Sequence, residues 1–260
     1  MRCPDACTAV RHAAILLDMD EPETLRATDS MAVALVAAIR RGDDESLSQI
    51  LTERPELATT RFVDQCGVTR TPLHVVTDWP GYFPNAPRTV ERLLAAGADP
   101  DATTTGGGQP ETPLHWAASS DDLDVAHALI AGGASIDVPG GSIGTPVENA
   151  VGYGCWHVAR LLHAHGARVD KLWVAAGLGL LPLVEELVEQ TPPPDRSDID
   201  HAFWQACHGG QLRVAAYLLE RGADIDTTPD HNHARPVEIA GAPDTRRGLL
   251  IEWLTKRATT

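Results

Sequence analysis

One phrase recurs along this chain and limits its possible folds more than any other feature. Thr71-Pro72-Leu73-His74 is followed by Thr112-Pro113-Leu114-His115 and then by Thr145-Pro146-Val147-Glu148. A second phrase trails each copy: Gly97-Ala98-Asp99-Pro100-Asp101, Gly133-Ala134-Ser135-Ile136-Asp137, Gly166-Ala167-Arg168-Val169-Asp170, and later Gly222-Ala223-Asp224-Ile225-Asp226. Two phrases in fixed order mean one structural unit copied in series, each unit burying its apolar face only against its neighbours. A chain built this way has less reason to carry a catalytic pocket.

The residues between the phrases say what the unit is. A threonine hydroxyl caps a helix N-terminus, and the proline after it sits where a missing N–H costs nothing. The glycine supplies the left-handed backbone that ends a helix. Between them, apolar residues recur at helical spacing: Val90, Leu93 and Leu94; Leu123, Val125, Leu129 and Ile130; Trp156, Val158, Leu161 and Leu162. The pattern predicts a helix pair per unit. An opening pair is expected from Ala32, its first helix stopped by Gly42, its second capped by Asp43 or Asp44 and ended by Pro55. A fifth pair spans Leu172–Gln190, a sixth His201–Asp226, and a seventh starts at Arg235 and closes with Leu249, Leu250, Trp253 and Leu254 beside Arg246, Arg247, Lys256 and Arg257. A polar face on the last helix suits a terminal cap.

Thr-Pro-Leu-His-x-Ala, a helix pair, Gly-Ala-Asp and a spacing of 33 residues between Thr112 and Thr145 together resemble the ankyrin repeat, over roughly residues 32–256. The resemblance implies an all-α solenoid of about seven stacked antiparallel helix pairs with projecting hairpin loops. It implies that Thr112 and His115 brace loops and adjacent repeats, and that Asp101, Asp137, Asp170 and Asp226 sit at hairpin entries. Two departures stand out. The stretches Asp170–Ala175 and Asp200–Ala206 are too short for a full hairpin, leaving long loops at Thr103–Glu111, Val138–Gly144 and Thr227–Ala234. The segment Pro80-Gly81-Tyr82-Phe83-Pro84 is an insertion with no counterpart in other units. Residues 1–30 match no unit and read as a leader, with a short helix over Thr8–Leu17; the repeat domain is expected over 31–260.

Charge and composition narrow the function. The formal net charge is −15, which disfavours nucleic acid, whose binding needs lysine and arginine to displace counterions, and favours a partner with a basic surface. No apolar run approaches a membrane span, and the apolar stretch Ala13–Leu17 is too short for a signal peptide. Five scattered cysteines, Cys3, Cys7, Cys66, Cys155 and Cys207, read as reduced thiols of a cytoplasmic protein; Cys3-x-x-x-Cys7 lacks a second half that would complete a metal site.

The histidines are the first candidates for chemistry. His163 and His165, two apart on a helix, do not share a face, and with Cys155 and His157 they diverge from the tetrahedron zinc requires. His231 and His233, beside Asp226 and Asp230, lie in a loop where ligands can gather, though solvated polar loop residues are the plainer account. Gly106-Gly107-Gly108 lacks the lysine and the helix start of a phosphate loop and reads as a hairpin tip. No nucleophile with a poised acid–base pair can be named, so the chain is read as no enzyme, with no cofactor and no metal.

Aromatic residues are the stronger lead. At the ends of the first helices, which the resemblance places on the concave side, stand Trp79, Ser119, Ser120, Tyr153 and His208, with Tyr82 and Phe83 on the insertion and Gln109 and Glu111 at the rim. Aromatic anchors are common at interfaces. The alternative for Trp79, Tyr82 and Phe83 is a small satellite core under their own loop. Trp116, Trp156, Trp173 and Trp204 fall in helix phases that pack between repeats. The expectation is a monomeric scaffold or regulator that binds a protein on its concave face. The alternative is an enzyme or small-molecule binder using the same groove, with residues 80–84 as a lid.

Overall fold

The computed structural model describes residues 24–230, 232–241 and 247–258. The expected Thr8–Leu17 helix, Cys3, Cys7, His231 and Arg246 lie outside them. Among the described residues, seven helix pairs follow one another: α1 (Ser30–Arg41) and α2 (Asp44–Glu53), α3 (Pro72–Val76) and α4 (Ala86–Ala95), α5 (Pro113–Ser119) and α6 (Leu123–Ala131), α7 (Pro146–Gly152) and α8 (Trp156–Ala164). Then come α9 (Leu172–Leu178) and α10 (Leu181–Glu189), α11 (Arg196–Gly209) and α12 (Leu212–Glu220), α13 (Pro236–Ala240) and α14 (Gly248–Ala258). First helices stack in one layer, each from α1 to α13 against the next; second helices stack in the other, α2 on α4, α4 on α6, α6 on α8 and α10 on α12.

The repeated phrase works as a capping box, and its chemistry is adaptable. The Thr71 amide donates to His74 Nδ1 at 3.2 Å, so Nδ1 is the acceptor and Nε2 carries the proton. That Nε2–H donates to the Glu111 carbonyl oxygen of the next repeat at 2.9 Å. Thr112 and His115 repeat the local half of this arrangement at 3.1 Å. In the fourth unit Glu148 replaces the histidine: its Oε2 accepts from the Thr145 amide at 3.1 Å and meets Lys171 Nζ of the next repeat at 3.0 Å. In the seventh, Glu238 Oε2 accepts from the Arg235 amide at 2.8 Å, so the box survives loss of both threonine and histidine.

The second phrase closes each outer helix. Gly97, Gly133, Gly166 and Gly222 take φ of +96°, +95°, +90° and +96°, a region that strains any residue with a Cβ. The alanine amide after each returns to a carbonyl five residues back, as Ala98 N to Leu93 O at 2.9 Å and Ala134 N to Leu129 O at 3.0 Å. Asp101 Oδ1 then accepts from the Ser135 amide at 2.8 Å and Asp137 Oδ1 from the Arg168 amide at 2.9 Å, tying each turn to its neighbour. At the sixth unit this role falls to Asp200, which accepts from the Asp224 amide at 2.6 Å, rather than to Asp170.

Three features differ from the sequence reading. A three-stranded sheet joins the all-α stack: β1 (Thr24–Arg26) pairs parallel with β2 (Arg61–Val63), which pairs antiparallel with β3 (Thr69–Arg70). Phe62 buries in this sheet, and Thr69 bridges Thr105 of the following loop, anchoring it. The first helix of unit six starts at Arg196, five residues before the expected His201, because Asp195 after the proline run caps it by accepting from the Asp198 amide at 2.9 Å. Leu123, expected inside, is exposed: Asp122 takes the N-cap of α6 and turns the first helical residue outward.

Candidate functional site

The C-terminal ends of α3, α5 and α7 lie side by side because capping boxes set these three short helices in the same register. Between them opens a cleft of about 340 Å³, lined by Thr77, Asp78, Trp79, Glu111, Trp116, Ser119, Ser120, Ser142 and Tyr153. Five residues singled out from sequence meet here: Trp79, Glu111, Ser119, Ser120 and Tyr153. Trp79 is 82% exposed and Tyr153 52% exposed, one from the α3 end and one from the α7 end. A roomier groove on the outer helices, along Pro87, Leu94, His127 and Ala131, holds no aromatic anchor.

Asn149 organises the far wall. It is wholly buried in α7, and its Oδ1 accepts from the Ile143 and Gly144 amides at 3.1 and 3.2 Å. Those two N–H donors fix the amide orientation, so Nδ2 donates to Glu111 Oε1 and Ser119 Oγ, each at 3.3 Å. Glu111 also accepts from Trp116 Nε1–H at 2.9 Å and the Ser142 amide at 2.9 Å. The Ser142 hydroxyl reaches Tyr153 OH at 3.1 Å. One continuous network thus joins the third and fourth repeats. At the opposite wall, Asp78 Oδ2 lies 2.7 Å from Arg40 Nη2 and 3.1 Å from Arg70 Nη1.

The insertion beside Trp79 is pinned on both sides. The Tyr82 amide donates to Asp122 Oδ2 at 2.7 Å, and Tyr82 OH donates to the Asp121 carbonyl at 2.6 Å. Asn85 Nδ2 donates to the Gly42 carbonyl of the first unit at 2.9 Å. Asp121, in the left-handed region at φ +55°, accepts at Oδ1 from the His157 and Val158 amides, each at 3.0 Å, and so caps α8 from the preceding repeat. Residues 80–85 are therefore hydrogen-bonded to the units on either side of their own.

The remaining predicted residues fall elsewhere. Phe83 packs against the main core instead of facing the cleft, while Tyr82, like Trp79, stays exposed, so the three do not form a satellite core. Gln109 is exposed on the loop at 106–110, outside the cleft. His208 lies between Trp156 and Trp204, ring centroids 5.1 and 5.0 Å away, in contacts that seal the fourth unit against the sixth. Trp204 is buried as expected, and Trp156 and Trp173 pack on the core. Trp116 does more: its helix phase puts one ring edge on His74, at 5.1 Å between centroids, and leaves the rest in the cleft. Thr77, Trp116 and Ser142 were missed as cleft residues; for Ser142 only the position of its loop, folded back by Asn149, brings it in.

Among the described residues, no group of three or more His, Cys, Asp or Glu side chains is placed to hold a metal ion. His163 is exposed, and His165 edges onto His127 at 6.3 Å. Burial pushes the Cys155 thiol up to about 12, and burial likewise raises Cys207, so both stay protonated at neutral pH. No helix of the described residues is long and apolar enough to cross a membrane.

Residues 81–171 match the family model for ankyrin repeats in three copies. The chain is 37% identical over 117 residues, 42% of its length, to human neurogenic locus notch homolog protein 4, of which the match covers 6%. It is 33% identical over 92 residues, 34% of its length, to mouse ankyrin repeat and SAM domain-containing protein 6, of which the match covers 10%. The matches thus span a small fraction of either relative. Among solved structures it is similar to the human ASB11 ankyrin repeat domain, with a TM-score of 0.47 at 19% identity, over 85% of this chain and 96% of that one.

Proposed function

We propose that this chain, whose residues 81–171 match the family model for ankyrin repeats, is a non-catalytic interaction module whose partner is a protein, seated in the cleft between Trp79 and Tyr153. The observation that carries this is the pair of largely exposed aromatic rings flanking one groove whose walls are already hydrogen-bonded. Large aromatics with few rotatable bonds, held on a rigid frame, are the usual anchors of protein interfaces. The pinned insertion supports a preformed surface rather than a lid over a reaction. The buried, protonated thiols and the capping histidines offer no activated nucleophile or base. In this reading the chain acts as a monomeric cytoplasmic scaffold or regulator, without cofactor, on what the family's architecture makes the concave side. Its net charge of −15 favours a partner with a basic surface over nucleic acid or an anionic membrane.

A library of linear peptides, selected on the full chain, tests this. Recovered peptides are expected to bind the Trp79→Ala/Tyr153→Ala variant about 30-fold more weakly or worse, the effect of losing about 2 kcal/mol of anchor contact. The melting temperature should stay nearly unchanged, because neither ring belongs to the core. Peptides retained equally by the double variant would move the binding face elsewhere, and a large loss of stability would assign the rings a structural role.

A further inference from the structure

The chemistry of the cleft narrows the kind of partner side chain it fits. Trp79, Trp116 and Tyr153 bring three π-systems to one groove, and Glu111 shares it. Ring faces carry partial negative charge and attract cations within about 6 Å, more strongly where water is displaced. Two carboxylates line the cleft, and they differ. Asp78 is held by Arg40 and Arg70, so its charge is already answered. Among the described residues, Glu111 is held by the N–H groups of Trp116, Ser142 and Asn149, which orient a carboxylate without neutralising it. The two arginines stand at the Asp78 wall, the three N–H donors at the other, so a positive group finds its complement on the Glu111 side.

We propose that this cleft receives a cationic side chain of the partner, a lysine-type ammonium presented by a peptide, between the rings of Trp79, Trp116 and Tyr153 and beside the Glu111 carboxylate. The inference rests on the cleft being the binding face. It makes the preference for a basic partner a property of one site, in addition to the overall charge of −15.

Titration of the full chain with tetramethylammonium chloride at matched ionic strength, followed by the indole N–H resonances in a nitrogen–proton correlation spectrum, tests the idea. The Trp79 and Trp116 signals are expected to shift saturably. The neutral look-alike 2,2-dimethylpropan-1-ol should bind about tenfold more weakly, as should the cation to Trp79→Ala/Tyr153→Ala or to Glu111→Gln, each checked for a native spectrum. Equal binding of the neutral compound would make the cleft merely apolar and overturn the proposal. Shifts unaffected by the double variant would put the cation on the general acidic surface, with the same consequence. The selected peptides separate the two levels. A lysine or arginine at one fixed position supports the cation site. Peptides that need Trp79 and Tyr153 but carry no fixed cation leave the binding face standing and remove the cation from it. Peptides indifferent to both rings overturn both.

Discussion

Gly209→Ala is expected to lower the stability of this chain by about 3 kcal/mol, at the upper end of what overpacking costs, because the clash is with backbone. A Cβ on Gly209 would stand 2.1 Å from the Gly177 carbonyl oxygen and 3.0 Å from its carbon. At these two glycines the backbones of α9 and α11 meet, and backbone cannot swing aside as a side-chain tip can. Gln211 Nε2 bridges the same spot, donating to the Gly177 and Gly209 carbonyls at 3.2 and 3.0 Å, so prying the helices apart also breaks those bonds. Denaturant unfolding of the variant should show a lower midpoint. Gly248→Ala is the control: nothing lies within 4 Å of its added methyl, and its stability should match the parent. A Gly209→Ala midpoint equal to that of the parent would mean that the fifth and sixth units are not stacked this tightly.

Acid should weaken the fold well before carboxylates begin to protonate. His74 is wholly buried, and desolvation lowers its pKa from the ordinary 6.5 to about 4. Burial pushes His115 down in the same direction. The folded state keeps these rings neutral, while the unfolded chain protonates them near pH 6.5. Stability is therefore whole above about 6.5 and falls with pH until about 4, where folded His74 takes up its proton as well. The loss from His74 alone is on the order of 3 kcal/mol at the low end of that window, from the gap between the two pKa values. Glutamine fits the capping-box position, can accept from the Thr71 amide and still has N–H groups to give the Glu111 carbonyl. The slope of unfolding free energy against pH between 6.5 and 4.5 should be smaller in His74→Gln. An unchanged slope would place the acid sensitivity elsewhere.

Much of this fold was readable from residues because each repeat is local. A cap, a proline, a left-handed glycine and a helical stripe act within a few residues, so Thr112, Pro113 and Gly133 announce their roles without knowledge of the neighbours. What was not readable came from contacts between repeats. Phe83 and Tyr82 are adjacent on one insertion, yet one enters the core and the other binds Asp121 across 39 positions. His208 carries the same register as Tyr153, but the nearby Trp156 and Trp204 draw it into packing. Trp116 has the helical phase of a core residue and still lines the cleft, because the Glu111 carboxylate holds its indole N–H at the rim. The sheet at the start of the chain pairs 24–26 with 61–63, a separation that no local pattern signals.

Partner binding at the face joining the ends of α3, α5 and α7 can be read by mapping a selected peptide onto the full chain through backbone amide shifts. The perturbed amides are expected to cluster at Thr77–Trp79, Ser119–Ser120, Ser142 and Tyr153. Perturbations gathered instead on the outer groove of α4 and α6, around Glu91 and His127, with the Trp79 and Tyr153 amides unmoved, would contradict it.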